Sequence, residues 1–334
     1  MHVNFLSLTL QGESPVIKQG ETSTLCWQWL AEGILALWPK AVYRQAVVLS
    51  AGLHGNETAP VEMLNQLVTE LLSGQRPLAV RLLVIFGNIP ALQAGKRYLH
   101  TDINRMFGGR YRQFAASGET ARARQLEQLV TAFFAADAPD SGVVRYHYDL
   151  HTAIRDSVLP RFGLLPFQSH PYDATLLAWL DAADLDALVF HRAPGGTFSY
   201  FSSEYCQAAS CTLELGKARP FGANDLLHFA DINRMLQAFI SGDTRPVRRQ
   251  TAMHLFCVVH TIIKHSEIFR LHLSDDTPNF TCLTQGMLLA EQPGETYRVQ
   301  HEQEWILFPN PQVATGMRAG LLLTETTPEA LSMV

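Results

Sequence analysis

Short apolar runs alternate with amphipathic stretches through residues 46–240. Residues 46–49 and 80–86 are runs of the kind that form strands covered on both faces, and between them residues 61–72 repeat apolar side chains at helical spacing. The alternation continues with strands expected at 146–150, 162–165, 187–190 and 210–216, and with helices expected at 119–136, 174–183 and 225–240. The pattern predicts an α/β fold, a mainly parallel mixed sheet flanked by helices.

The two ends of the chain follow different patterns. Residues 1–43, with apolar pieces at 3–10 and 33–37, indicate short strands and turns at the edge of the fold. After a turn-rich segment at 241–246, the pattern changes to short β-prone segments at 254–263, 268–273 and 305–308. We therefore predict one large domain over 1–242 and a smaller all-β domain over 243–334.

The composition of the chain limits the kinds of binding partner and the cellular location that we expect. The 334 residues are 47% hydrophobic and 17% charged, as expected for a globular protein, and the net charge of −5 argues against binding to nucleic acid. No stretch reaches the roughly 18 apolar residues of a membrane span, and the N-terminus lacks the pattern of a signal peptide. The five cysteines are scattered without a Cys-x-x-Cys motif, which indicates reduced thiols. We expect a cytoplasmic protein with no membrane partner, and homo-oligomerisation is left open.

A His-x-x-Glu motif follows the first apolar run. His54 and Glu57 lie in a glycine-containing loop between a predicted strand and a helix, and His151 follows another strand. Two histidines and a glutamate are a common ligand set for zinc in hydrolases, with water in the open position. Asp149 lies two residues before His151 on the same side of a strand, so it is a candidate to orient a ligand imidazole. Alternatively, His54 is a turn residue and His151 a core histidine.

Glu214 stands alone as an acid in an apolar strand. An ionised carboxylate is seldom buried without a partner, so a functional role is favoured over a position on a solvent-facing edge. If its strand ends near a zinc ion, Glu214 is the natural general base for the water that the zinc acidifies.

A basic loop spans residues 95–112. Arg97 and the adjacent Asn104 and Arg105 offer donors suited to a carboxylate or to a developing oxyanion. A solvated loop face is the alternative. The loop therefore favours a small anionic substrate.

Four motifs carry a resemblance to a known family: Gly52-Leu53-His54-Gly55-Asn56-Glu57, Asn104-Arg105, Asp149-Leu150-His151-Thr152 and Leu213-Glu214-Leu215-Gly216. Together they resemble the succinylglutamate desuccinylase and aspartoacylase family, a branch of the zinc carboxypeptidase superfamily. The resemblance implies that residues 1–242 form a zinc carboxypeptidase-like catalytic domain and that the β domain over 243–334 narrows its active site. The resemblance implies one zinc ion per subunit held by His54, Glu57 and His151, with Glu214 as the catalytic glutamate. It further implies that Arg97 polarises the substrate carbonyl and that Asn104 and Arg105 bind a substrate carboxylate.

The implied activity is hydrolysis of a linear amide. The resemblance is strongest to members that cleave N2-succinyl-L-glutamate to succinate and L-glutamate, the last step of arginine catabolism by the succinyltransferase pathway. The alternatives are an aspartoacylase-like deacylase of another N-acyl amino acid, a carboxypeptidase, or a non-catalytic member that binds metal or metabolite. Residues 193–216 contain no Lys or Arg where aspartoacylases carry a substrate-binding arginine. The residue that binds the second substrate carboxylate is therefore left open, with Arg161, Arg192 and Lys217 as candidates. A role for Tyr297 in substrate binding is also left open.

Overall fold

The computed structural model describes residues 4–328. Its helices are α1 (Phe5–Gln11), α2 (Ala59–Leu72), α3 (Ile89–Ala94), α4 (Gly118–Ala135), α5 (Ala174–Ala182), α6 (Phe198–Cys206) and α7 (Ala230–Ser241). Its strands are β1 (Gln19–Glu21), β2 (Leu25–Ala31), β3 (Ile34–Pro39), β4 (Gln45–Ala51), β5 (Arg81–Phe86), β6 (Val144–Ala153), β7 (Arg161–Leu165), β8 (Ala187–Phe190), β9 (Ala209–Lys217), β10 (His254–Ile263), β11 (Arg270–Leu271), β12 (Thr281–Thr284), β13 (Leu288–Gln292), β14 (Glu295–Arg298), β15 (Gln303–Leu307) and β16 (Arg318–Glu325). Among these residues, no helix combines the length and the apolar character needed to cross a bilayer.

One large mixed sheet organises the fold, in the order β1-β2-β3-β5-β4-β6-β9-β7-β8-β10-β16-β15-β12. Strands β5, β4, β6 and β9 run parallel, as do β7, β8 and β10, and the β9–β7 pairing is antiparallel. The predicted mixed α/β sheet with a C-terminal all-β part is confirmed. The sheet continues from β8 into β10, beyond residue 242, while β11, β13 and β14 form a separate small sheet. The division at residue 242 stays a prediction, and its outermost residues, 1–3 and 329–334, lie outside the described residues.

The two faces of the central sheet are covered differently. One face packs its apolar side chains against α2, α5 and α7 in a single core cluster. On the other face, β3, β4 and β5 pack against α4 and α6, and β7 and β8 pack against the C-terminal strands. Strands β6 and β9 lie between these two clusters, and there the alternating positions of this face carry polar side chains: His147, Asp149, His151, Thr212 and Glu214. A buried polar stripe therefore crosses an otherwise apolar sheet.

The N-terminal prediction is wrong in one place. Residues 5–11, in a region expected to form short strands and turns, form α1. Its first turn is capped by the Asn4 side chain, and its end is closed by Gly12 in the left-handed conformation. Phe5 and Thr9, one helical turn apart, are the buried positions. The short length of the segment left its period ambiguous. The edge strands that follow, β1 to β3, agree with the prediction.

Two further differences concern the surroundings of the candidate site. Helices α3 and α6 were not predicted from the sequence pattern. Strand β6 was expected to end before His151, but it runs through Ala153 because its pairing with β9 continues to Lys217. His151 therefore lies inside its strand and not just beyond it, whereas Glu214 lies inside β9 as predicted.

Candidate active site

The turn after β4 positions His54 and Glu57. The Gly55 amide donates to the Arg97 carbonyl at 3.1 Å and the Glu57 amide donates to the His54 carbonyl at 3.2 Å. A methyl group on Gly55 would lie 2.0 Å from the backbone carbon of Ala91 in α3, so only glycine fits there. The turn is thus clamped between α3 and the basic loop, with α2 beginning at Ala59 directly after it.

His54, Glu57 and His151 converge on one point. One ligand atom of each lies within 4.8 Å of the others, and all three residues are at most 3% exposed. Glu57 Oε1 lies 2.9 Å from His54 Nδ1, and Glu57 Oε2 lies 2.9 Å from His151 Nδ1. Burial opposes ionisation of Glu57, but the two histidines outweigh it and hold its pKa well below the usual range. The structure therefore brings the predicted ligand set together as a carboxylate between two imidazoles.

The other ring nitrogen of each histidine faces an acid. Asp102 Oδ1 lies 2.8 Å from His54 Nε2, and Asp149 Oδ2 lies 3.0 Å from His151 Nε2. If each Nε2 carries the ring proton and donates a hydrogen bond to its carboxylate, each Nδ1 presents a lone pair to the space between His54, Glu57 and His151. His54 Nδ1 is buried without a hydrogen-bond partner, since its contact with Glu57 lacks hydrogen-bond geometry. An unpartnered nitrogen, a second aligned nitrogen and a carboxylate oxygen fit a divalent metal ion.

A buried chain of hydrogen bonds, here called the relay, runs from Asp149 through Ser50 and His147 to Ser202. The Ser50 hydroxyl donates to Asp149 Oδ1 at 2.5 Å and lies 2.8 Å from His147 Nε2, while His147 Nδ1 lies 2.7 Å from the Ser202 hydroxyl. Burial lowers the pKa of His147 to about 4, so this imidazole is neutral at pH 7. The relay joins β4, β6 and α6 and fixes the carboxylate that orients His151.

Glu214 lies on the strand beside His151. The two residues are register partners on the parallel strands β6 and β9, and Glu214 is 8% exposed with a buried Oε2 that has no hydrogen-bond partner. Burial, opposed by His151 and reinforced by the charge of Glu57, raises the pKa of Glu214 to about 7. A buried acid poised near neutrality is suited to accept and return a proton.

The basic loop reaches the same place. Arg97 Nη1 donates to Glu57 Oε1 at 2.9 Å, and Arg97 Nη2 lies 3.7 Å from Asp102 Oδ2. Arg105 Nη2 lies 3.9 Å from Asp102 Oδ2. Asn104 is buried: its Oδ1 accepts from the Phe198 amide at 2.9 Å and its Nδ2 lies 3.5 Å from His151 Nε2. Asn104 therefore ties the loop to the start of α6.

Three residues near this site were given no role on the sequence evidence. Asp102 lies two residues before the Asn104-Arg105 motif, and this spacing was its only signal in the sequence. Arg318 and His191 left no local signal, because each is brought to the site by long-range strand pairing. Tyr297, whose role was left open, donates its hydroxyl to Glu304 at 3.0 Å and stacks on His260 within the C-terminal strands.

The fold and the site together define an α/β enzyme of the hydrolase class with a candidate single-metal centre. Residues 43–240 match the model of the succinylglutamate desuccinylase/aspartoacylase catalytic domain, and residues 251–326 match that of the AstE/AspA barrel-sandwich hybrid domain. The chain belongs to the succinylglutamate desuccinylase/aspartoacylase family, as its motifs predicted.

Individual relatives match over nearly the full length. A succinylglutamate desuccinylase of Serratia proteamaculans is 66% identical over 328 residues, which are 98% of this chain and 99% of that protein. One of Yersinia pestis is 57% identical over 97% of both chains. The crystal structure of the succinylglutamate desuccinylase from Chromobacterium violaceum superimposes with a TM-score of 0.85 at 39% identity and covers 98% of this chain and 99% of its own.

Proposed function

We propose that this protein hydrolyses N2-succinyl-L-glutamate to succinate and L-glutamate, as the names of its close relatives indicate for those proteins. The observation that carries the proposal is the unpartnered, buried Glu214 carboxylate on the strand next to the His54–Glu57–His151 group. A binding module needs ligands for its metal but no free base beside them. The acid therefore favours catalysis over binding alone.

We infer that His54 Nδ1, His151 Nδ1 and Glu57 hold one zinc ion per subunit. When bound there, zinc would acidify water and withdraw charge from an amide carbonyl. Asp102 and Asp149 keep the two imidazoles in the tautomer that ligation requires, since each accepts from the Nε2 side.

Glu214 acts as general base and then as general acid. Its carboxylate takes a proton from the attacking water and later returns it to the nitrogen of the departing glutamate, so one residue serves both halves of the reaction. Burial raises the pKa of Glu214 to about 7, which suits a group that takes a proton and then returns it.

The loop cations bind and orient the substrate. Arg97, already beside Glu57, would donate to the carbonyl oxygen as negative charge develops on it. Asn104 and Arg105 would bind one of the three substrate carboxylates, and the positive charge of Arg105 supplies attraction. We place this reaction in arginine catabolism in the cytoplasm.

The test is a panel of amides given to the purified, zinc-loaded protein. N2-succinyl-L-glutamate should release glutamate, N-acetyl-L-aspartate and N2-succinyl-L-arginine should be poor substrates, and a chelator should abolish release until zinc is restored. Preferred cleavage of another N-acyl amino acid would keep the hydrolase and reject the substrate. Saturable binding of zinc and succinylglutamate without hydrolysis of any amide would reject the enzyme.

A further inference from the structure

Arg318 reaches the candidate site from the C-terminal strands. It is the first residue of β16, where it pairs with Ile263 of β10. Its guanidinium carbon lies 5.6 Å from the centre of the Phe308 ring, and that ring lies 6.0 Å from the Phe162 ring. Phe162 is the register partner of Glu214 on the neighbouring strand β7. A continuous series of contacts thus joins Arg318 to the strand of the proposed general base.

The backbone holds Phe308 under this guanidinium. The Phe308 amide donates to the Asn279 side chain at 2.8 Å, and the Asn310 amide donates to the carbonyl of Ala319, the residue after Arg318, at 2.8 Å. These two hydrogen bonds fix the backbone on both sides of Pro309. Their role here is to fix the aromatic platform on which Arg318 lies.

The charged residues that surround Arg318 are the ones already described in the candidate active site. Burial and the neighbouring Arg105 lower the pKa of Arg318 to about 9, with Arg97 acting in the same direction and Asp102 and Glu214 opposing. His191, at the end of β8, is also affected: burial and the charges of Arg318 and Arg105 lower its pKa to about 3. The guanidinium groups of Arg97, Arg105 and Arg318 and the neutral imidazole of His191 therefore lie close together at this edge of the site.

Arg318 differs from the candidate cations named on the sequence evidence. Arg161 pairs with Asp186 at 2.9 Å and Lys217 pairs with Asp156 at 2.8 Å, so both already have carboxylate partners, and Arg192 is exposed. Within residues 4–328, Arg318 makes no ion pair with any carboxylate. A half-buried guanidinium beside other guanidiniums is costly without an anion, so its surroundings favour an anionic ligand.

We infer that Arg318 binds a carboxylate of the anionic substrate and makes the C-terminal strands part of the active site. The inference rests on the proposed function and deepens it, since it names a partner for a second substrate carboxylate. Arg105 and Arg318 would then grip two different carboxylates, with the scissile amide between Glu214 and the metal ligands. The Phe308 platform would hold the planar guanidinium ready for two parallel hydrogen bonds.

The test is calorimetric titration of the zinc-loaded protein with succinate and, separately, with L-glutamate, together with KM and kcat for succinylglutamate. The variants are Arg318→Gln and Arg318→Lys, with Arg270→Gln as the matched control at an exposed arginine of β11. Loss of a charged, two-pronged contact should weaken binding of one product about 10- to 100-fold in Arg318→Gln and raise KM more than it lowers kcat. Arg318→Lys should fall between, because it keeps the charge and loses the fork.

The product that loses affinity identifies the half of the substrate that Arg318 contacts. Affinities for both products and a KM within about twofold of wild type, in variants with wild-type thermal stability, would overturn the inference. If Arg318→Gln does not fold, Arg318→Lys decides by the same titrations. A wild-type protein that binds both products but does not hydrolyse succinylglutamate would contradict the proposed function alone, since the titrations report on Arg318 without turnover.

Discussion

Asp102 Oδ1 lies 2.8 Å from Nε2 of His54, on the opposite side of the ring from Glu57. Burial opposes ionisation of Asp102, but His54 and the two neighbouring arginines outweigh it and hold its pKa well below the usual range. A permanent negative charge at this nitrogen fixes the tautomer that leaves Nδ1 free. The basic loop therefore supplies an orienting group for the metal site as well as donors for substrate.

Replacing Asp102 should weaken metal binding without removing a ligand. We expect Asp102→Asn to lower zinc affinity about 10- to 100-fold, because the amide no longer fixes the His54 ring as the carboxylate does. Competition with a chromogenic chelator measures this, with Asp140→Asn as an exposed control. Equal zinc affinities for the two variants would show that Asp102 does not orient His54.

The relay behind Asp149 should contribute to stability. Ser50→Ala removes the hydroxyl between Asp149 and His147 and leaves two buried polar groups short of a partner. We expect the free energy of unfolding to fall by about 1–3 kcal/mol, measured with urea, while Ser14→Ala at an exposed position has little effect. An unchanged urea midpoint for Ser50→Ala would show that the relay is not needed.

The glycine of the metal-binding turn should be irreplaceable. A methyl group at Gly55 would lie 2.0 Å from the Ala91 backbone, so Gly55→Ala must displace α3 or the turn. We expect a loss of about 3 kcal/mol in stability and weaker zinc binding. Gly118→Ala is the matched control: its methyl group meets no atom within 4 Å at the start of α4 and should be neutral or slightly stabilising. Wild-type stability and zinc affinity in Gly55→Ala would contradict the packing described here.

Much of this arrangement was predictable from the sequence, for physical reasons. His54, Glu57 and His151 stand out because they follow apolar runs, and Glu214 stands out because it is the lone acid within one. The parallel strands β4, β6 and β9 could be predicted because a strand buried on both faces is a continuous apolar run in the sequence. The place of Arg97 at the same site was implied by the family resemblance and not by the local pattern.

The remaining features depend on long-range geometry. Asp102 is one acid in a polar loop, and only the path of residues 95–105 around Gly55 brings it to His54. Arg318 is more than 160 residues from His151 and reaches the site through the β8–β10–β16 pairing, which no local pattern encodes. Helix α1 was missed because seven residues hold too few turns to establish a period.

The pKa of Glu214 predicts a pH effect on the metal-free protein. Folding raises this pKa from the ordinary value of 4.5 to about 7, so the folded state binds more protons than the unfolded state between these values. Stability should therefore fall as the pH rises from about 4.5 to 7 and stay low above it. Glu214→Gln cannot ionise and should be more stable than wild type at pH 8 by roughly 3 kcal/mol, with the gain absent at pH 4. A stability difference independent of pH, measured by urea unfolding in chelator, would contradict the assigned environment.

The central claim is that Glu214 is the proton carrier beside a metal held by His54, Glu57 and His151. The most direct test measures zinc content and succinylglutamate turnover together in Glu214→Gln. We predict one zinc per chain, as in wild type, and a turnover reduced by about 10²- to 10⁴-fold. Wild-type turnover in a variant that still holds its zinc would contradict the claim.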